Sequence, residues 1–105
     1  MIIRDIEEWL PAKEKPLLIA GPCSVESEEQ VRSTASALAK NKQISALRGG
    51  VWKPRTQPGS FEGIGKPALA WLKKAGVENQ LPVITEVANA KHVEQALEAG
   101  IDMLW

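Results

Sequence analysis

The chain has 105 residues, 44% of them apolar, and its 13 basic and 13 acidic side chains cancel to a formal net charge of zero. That is enough for one small domain or for a piece of a larger one, and it leaves nucleic acid and anionic membrane surfaces without a global electrostatic attraction. A single cysteine excludes an internal disulfide framework, and no apolar run is long enough for a membrane span or a secretory segment, so the cytoplasm is the expected compartment.

In chain order, Ile3, Ile6, Trp9 and Leu10 recur near one helical face before Pro11, which predicts a short helical N-terminal extension over residues 1–11. Leu17-Leu18-Ile19-Ala20 is a continuous apolar run ahead of Gly21-Pro22, the pattern of a strand buried on both faces. Ser27 with Gln30 reads as a helix cap, and Val31, Thr34, Ala35, Leu38 and Ala39 continue at helical spacing to about Lys40.

Residues 44–47 read as the second strand, 66–74 as a helix with Pro67 in its first turn, and 82–87 as the third strand. A helix is expected over 90–99, with Val93, Ala96 and Leu97 on one face and Gly100 as its stop, and a fourth strand over 101–105. This βαβαβαβ alternation with buried-type strands implies a parallel sheet with right-handed crossovers, either an open doubly wound sheet or a barrel.

The residues with chemistry cluster at the carboxyl ends of these strands: Cys23 and Glu26 after the first, Arg48 to Thr56 after the second, Glu86 at the end of the third. Parallel α/β folds put their sites there. The connections at the opposite ends, residues 41–43 and 76–81, read as plain turns.

The stretch from Arg48 to Gly65 is a long polar loop, and compact domains seldom carry one unless it binds or catalyses. Arg48, Lys53 and Arg55 crowd positive charge into it, Pro54 biases Lys53 towards an extended conformation, and Gly49 and Gly50 allow close backbone approach. An anion answers such charge, although a solvated basic loop has the same composition.

Gly63-Ile64-Gly65-Lys66-Pro67-Ala68 matches GxGxxA, yet a long loop separates it from the preceding strand, where a dinucleotide fold needs the first glycine directly after it. The spacing from Gly59 to Gly65 and Pro67 likewise break a phosphate-loop pattern. Cys23 reads equally as a small buried hydrophobe or as one ligand of a divalent metal, and in the second case ligands from elsewhere must join it. Glu86 reads as an ion-pair partner for a loop cation or as a group that orients a water. His92, the chain's one histidine, is expected on the polar side of a helix start and is assigned no role, Trp52 is a candidate pocket wall, and Trp9, Trp71 and Trp105 read as packing residues.

Two long stretches, Leu18-Ile19-Ala20-Gly21-Pro22-Cys23-Ser24-Val25-Glu26 and Leu47 through Gly65 with its Arg48-Gly49-Gly50-Val51-Trp52-Lys53-Pro54-Arg55-Thr56 core, resemble type I 3-deoxy-D-arabino-heptulosonate 7-phosphate (DAHP) synthases, in the subgroup related to 3-deoxy-octulosonate 8-phosphate synthases. Ile84-Thr85-Glu86-Val87 and Asp102-Met103-Leu104-Trp105 are similar to that family's third and fourth strands.

The resemblance implies a (β/α)8 TIM barrel, of which this chain covers about the N-terminal half. It also implies a metal-dependent transferase that condenses phosphoenolpyruvate with erythrose 4-phosphate, the step that opens the shikimate pathway to chorismate and the aromatic amino acids. By the same resemblance Cys23 is a metal ligand (for a manganese, iron, cobalt or zinc type ion), Arg48 and Lys53 hold phosphoenolpyruvate, and Pro54, Arg55 and Thr56 serve the aldose phosphate. Glu86 lies near the attacking water and, with Lys53, is catalytic.

The alternatives are the octulosonate synthase, which uses arabinose 5-phosphate and carries an Asn-Arg pair where this chain has Pro54-Arg55, and a non-catalytic half-barrel. A barrel of this kind takes roughly 250 residues, so these residues are expected to need the remaining half and to be inactive alone. A homo-oligomer and a fused or associated chorismate mutase domain complete the expected partners.

Overall fold

The computed structural model describes residues 3–9, 16–53, 59 and 61–105. Their elements are α1 (Ile6–Trp9), β1 (Leu18–Ala20), α2 (Glu28–Leu38), β2 (Ile44–Arg48), α3 (Lys66–Glu78), β3 (Val83–Thr85), α4 (Ala90–Glu98) and β4 (Met103–Leu104). The four strands form one sheet in the order β1-β2-β3-β4, every pair parallel. Strand order that follows chain order, with a helix in each connection, is the open form of a barrel wall.

The core lies between sheet and helices. Val25, Val31, Leu47, Val51, Leu69, Leu72 and Val83 are fully buried together, each removing a side chain from water for about 1.5–3 kcal/mol. In β2 Leu47 joins this cluster, so by the two-residue alternation of a strand Ala46 and Arg48 belong to the opposite face. By the same alternation Val83 faces the helices, and Ile84 and Glu86 share the face of Arg48.

Helix starts follow their caps. Ser27 Oγ accepts the Gln30 N–H at 3.0 Å, as expected, but Gln30 Oε1 takes the N–H of Glu26 at 2.9 Å, so the reciprocal bond reaches one residue further back than in a capping box. In α4, Asn89 Oδ1 accepts the His92 N–H at 2.9 Å, a cap that the reading of the sequence passed over.

Three expectations are corrected. The third helix runs past Lys74 to Glu78, because Gly76 serves packing rather than termination: a Cβ there would strike Val83 Cγ1 and stand 2.7 Å from the Leu81 carbonyl oxygen. Gln80, at φ 57°, then turns the chain away. The run around β1 is not buried on both faces, since Leu17, Leu18 and Ile19 are each 40% exposed. β1 is an edge strand here, paired on one side alone, and an apolar strand is covered only when a neighbour and a layer stand on each side. On α4, Ala96 is buried while Leu97 is exposed, so the apolar face is narrower than its spacing suggested. Ile3 is 88% exposed; Leu10 and the side chains of Ile6 and Trp9 lie outside the described residues.

Candidate active site at the carboxyl end of the sheet

The strand ends bring together Cys23, Arg48, Gly50, Lys53 and Glu86. Pairing continues beyond β1 and β2 through a parallel bridge between Ser24 and Gly50, with the Val25 N–H donating to the Gly50 carbonyl at 2.8 Å. This holds the Gly21-Pro22-Cys23 turn against the start of the basic loop. One step along, the buried Thr85 hydroxyl donates to the Gly49 carbonyl at 2.8 Å, and the Gly49 N–H donates to the Ile84 carbonyl at 3.0 Å. The segments bearing Cys23, Lys53 and Glu86 are thus tied at their bases.

Lys53 is the centre of the cluster. Its ammonium donates to Glu86 Oε1 at 2.7 Å and to Cys23 Sγ at 3.4 Å. The pair is sheltered, at 7% exposure for the Lys53 side chain and 21% for Glu86, and a charge so placed is stable only with partners in close geometry. No side chain fits among them: a Cβ on Gly50 would stand 2.5 Å from Lys53 Nζ, 2.5 Å from the Cys23 carbonyl oxygen and 2.7 Å from Glu86 Oε1. The glycine is required by the approach of three groups.

Cys23 is exposed, which removes the reading of it as a small buried hydrophobe. The Lys53 ammonium hydrogen-bonded to it, and the Lys53 and Arg48 charges beside it, hold its thiol below the ordinary range, a shift only partly opposed by desolvation. Thiolate character suits nucleophilic or metal-binding use. Among the described residues, however, no three His, Cys, Asp or Glu side chains stand close enough to hold a metal ion. The described residues therefore do not make up a metal site by themselves.

Arg48 lies over the Trp105 ring, 4.8 Å from its centroid, a cation–π contact. Trp105 is held in turn by its N–H to the Thr85 carbonyl at 3.2 Å and by the Val87 N–H to its own carbonyl at 3.0 Å. Expected to be a packing residue, it is 48% exposed and supports a candidate ligand-binding arginine. Trp71 does pack against the core. Pro54, Arg55 and Thr56, the expected aldose-phosphate group, lie outside the described residues.

His92 is the other correction. It stacks on Trp52 with ring centroids 4.0 Å apart and planes 3° from parallel, so its ring is engaged rather than simply solvated. The helical pattern around His92 carried no signal for this, because its partner lies in the loop after β2.

Residues 5–104 match the DAHP synthetase I family. The chain belongs to that family. It is 40% identical over 81 residues to the phospho-2-dehydro-3-deoxyheptonate aldolase of Thermotoga maritima, a match covering 77% of this chain and 24% of that protein. A 2-dehydro-3-deoxyphosphooctonate aldolase of Desulfotalea psychrophila is 36% identical over 88 residues, with 78% of this chain and 31% of that protein covered. A crystal structure of phospho-2-dehydro-3-deoxyheptonate aldolase (DAHP synthase) from Thermotoga maritima superposes with a TM-score of 0.73 at 35% identity, over 84% of this chain and 25% of that one.

The fold of this DAHP synthetase I family chain is accordingly α/β, its four-stranded parallel sheet and helices matching the N-terminal part of that protein's TIM barrel. It spans about a quarter to a third of the length of the relatives it matches. No helix among the described residues is long and apolar enough to cross a membrane.

Proposed function

We propose that this chain supplies residues for both substrates of a DAHP synthase active site, in an enzyme that condenses phosphoenolpyruvate with erythrose 4-phosphate to DAHP and phosphate. The observation that carries the reading is the Lys53 ammonium, sheltered at the carboxyl end of a parallel sheet, 2.7 Å from Glu86 and 3.4 Å from Cys23 Sγ, in a chain of this family.

Arg48 offers a planar fork that matches a carboxylate or phosphate, and Lys53 a point charge; together they bind and orient the enol phosphate with its double bond towards the aldehyde. Arg55 and Thr56, with Pro54, take the aldose phosphate. Glu86, already bound to Lys53, accepts a hydrogen bond from the water that adds to the enol carbon, so it holds the proton the water sheds. Carbon–carbon bond formation proceeds from the enol methylene to the aldehyde carbon, and inorganic phosphate leaves.

Cys23 is one ligand for a divalent metal of the manganese, iron, cobalt or zinc type, whose chemistry when bound is to polarise the aldehyde oxygen. The remaining ligands, the rest of the barrel, a homo-oligomeric assembly and any chorismate mutase partner belong to the same reading.

The test is turnover. The 105-residue chain alone is expected to show no metal-dependent consumption of phosphoenolpyruvate with erythrose 4-phosphate. Joined to the remaining barrel units of the Thermotoga relative, it is expected to form DAHP. Preference for arabinose 5-phosphate in the joined protein would favour the octulosonate reaction suggested by the second relative, and full activity of the joined Cys23→Ser variant with added manganese would remove Cys23 from the metal site.

A further inference from the structure

We propose that His92 is a positioning residue for the Lys53–Glu86 ion pair, holding from outside the two segments that carry its partners. The proposal deepens the reading above and takes its catalytic meaning from it. Besides a contact of Nε2 with Asn89 Nδ2 at 3.4 Å at its own helix cap, the imidazole makes two contacts in two directions. Its face stacks on Trp52 at 4.0 Å between centroids, and Trp52 directly precedes Lys53. Its edge accepts, at Nδ1, the backbone N–H of Ala88 at 3.1 Å, in the connection that starts from Glu86.

The ring is itself anchored, because its backbone N–H donates to Asn89 Oδ1 at the cap of α4. One side chain therefore joins the segment after β2 to the segment after β3. The Thr85 to Gly49 hydrogen bond joins the same segments at the strand ends. Along the chain Glu86 lies between Thr85 and Ala88, and Lys53 directly follows Trp52.

Lys53 needs such support. It stands outside any strand, on a long side chain with large rotamer freedom, yet its ammonium is held at 2.7 Å from Glu86 with 7% of the side chain exposed. Its own backbone is fixed towards residues 62–65, by the Lys53 N–H to the Glu62 carbonyl at 2.6 Å and the Gly65 N–H to the Val51 carbonyl at 2.8 Å. Those bonds set its distance from the start of α3 and leave its distance from the Glu86 segment to other contacts.

An imidazole is suited to the task, since it combines a flat aromatic face with an acceptor in the ring plane. Phenylalanine keeps the face and loses the acceptor, and alanine loses both.

The experiment is residue-resolved amide hydrogen exchange on the chain joined to the remaining barrel units, without metal, together with the rate at which iodoacetamide alkylates Cys23, which reports the Lys53 ammonium beside it. In His92→Ala the Lys53 and Ala88 amides are expected to exchange roughly three- to tenfold faster, the scale of one lost aromatic stack. The Leu47 amide, bonded to the Pro82 carbonyl inside the sheet, should be unchanged, and Cys23 alkylation should slow. His92→Phe should restore the Lys53 amide and the Cys23 rate but not the Ala88 amide.

Equal protection of Lys53 in the wild type and His92→Ala would overturn the proposal. Parallel acceleration of all three amides without rescue by phenylalanine would also overturn it, by reducing His92 to a general stabilising residue. These readouts need neither substrate nor metal, so a failure of the proposed turnover and a failure of this inference are separate results.

Discussion

Among the described residues a lysine–carboxylate pair stands at each end of the sheet, and the two pairs differ in what else their groups bond. At the amino ends of the strands Lys73 reaches Asp102 at 3.3 Å, with the two side chains 32% and 22% exposed, and the same Asp102 oxygen accepts the Val83 backbone N–H at 2.9 Å. That carboxylate closes a strand start. At the carboxyl ends Lys53 meets Glu86 at 2.7 Å with little exposure, and the ammonium's second contact is Cys23 rather than backbone. The first pair spends its hydrogen bonds on the chain's own architecture, whereas the second turns them towards an exposed thiol at the strand ends. A salt bridge alone does not mark a site; the use of its remaining valences does.

The comparison breaks most visibly if its two lysines are exchanged for an apolar side chain of similar length. Lys53→Met in the joined barrel is expected to lower turnover by about 10²-fold or more, the scale of losing one preorganised charged donor, and to lower the denaturation midpoint as well, because it leaves Glu86 sheltered without its partner. Unchanged kcat/KM would show that the sheltered pair is structural after all.

Asp102→Ala should act on the fold alone. It leaves the Val83 N–H without its acceptor and costs about 1–3 kcal/mol of stability, read by urea denaturation, with no effect on Cys23 alkylation.

The pH dependence of that alkylation comes next. Because Lys53 and Arg48 lower the Cys23 pKa, the metal-free protein should stay reactive to lower pH than a free cysteine, and Lys53→Met should move the profile up. The sign for stability follows: a depressed acid stabilises the fold above its unfolded pKa, and the contribution is lost as pH falls through the folded value. A profile identical to that of free cysteine would contradict the geometry.

Lys73→Met is the smallest change. Partly exposed pairs of this kind are worth about 1 kcal/mol or less, so its midpoint should lie close to wild type and respond weakly to salt. A loss as large as that of Asp102→Ala would make the amino-end pair more than a surface contact.

What the sequence made legible follows the range of the forces involved. The strand and helix order, the Ser27 cap and the grouping of Cys23, Lys53 and Glu86 at strand ends rest on local spacing and on the direction of parallel strands, and they could be read. The exposure of Leu17 to Ile19 could not, because burial belongs to neighbours and the apolar run is suited to a strand covered on both sides. The end of α3 was misread because glycine has two uses, to stop a helix or to let one approach a strand, and only Val83 and Leu81 in place decide between them at Gly76. His92 and Trp105 were missed for a similar reason: their partners, Trp52 and Arg48, sit in other βα units. Asn89 could have been found, since an asparagine directly before a helical run is an ordinary cap signal.

Gly50 has a consequence at the level of the gene. Any single base change that replaces a glycine codon's amino acid installs one with a Cβ, and here that atom falls within 2.5 Å of both Lys53 Nζ and the Cys23 carbonyl oxygen. The codon therefore has no neutral missense neighbours, and drift at this position passes through loss of the cluster. Variation in the chemistry of this cluster is left to the side chains around it, while the point where the three segments meet stays closed to mutation.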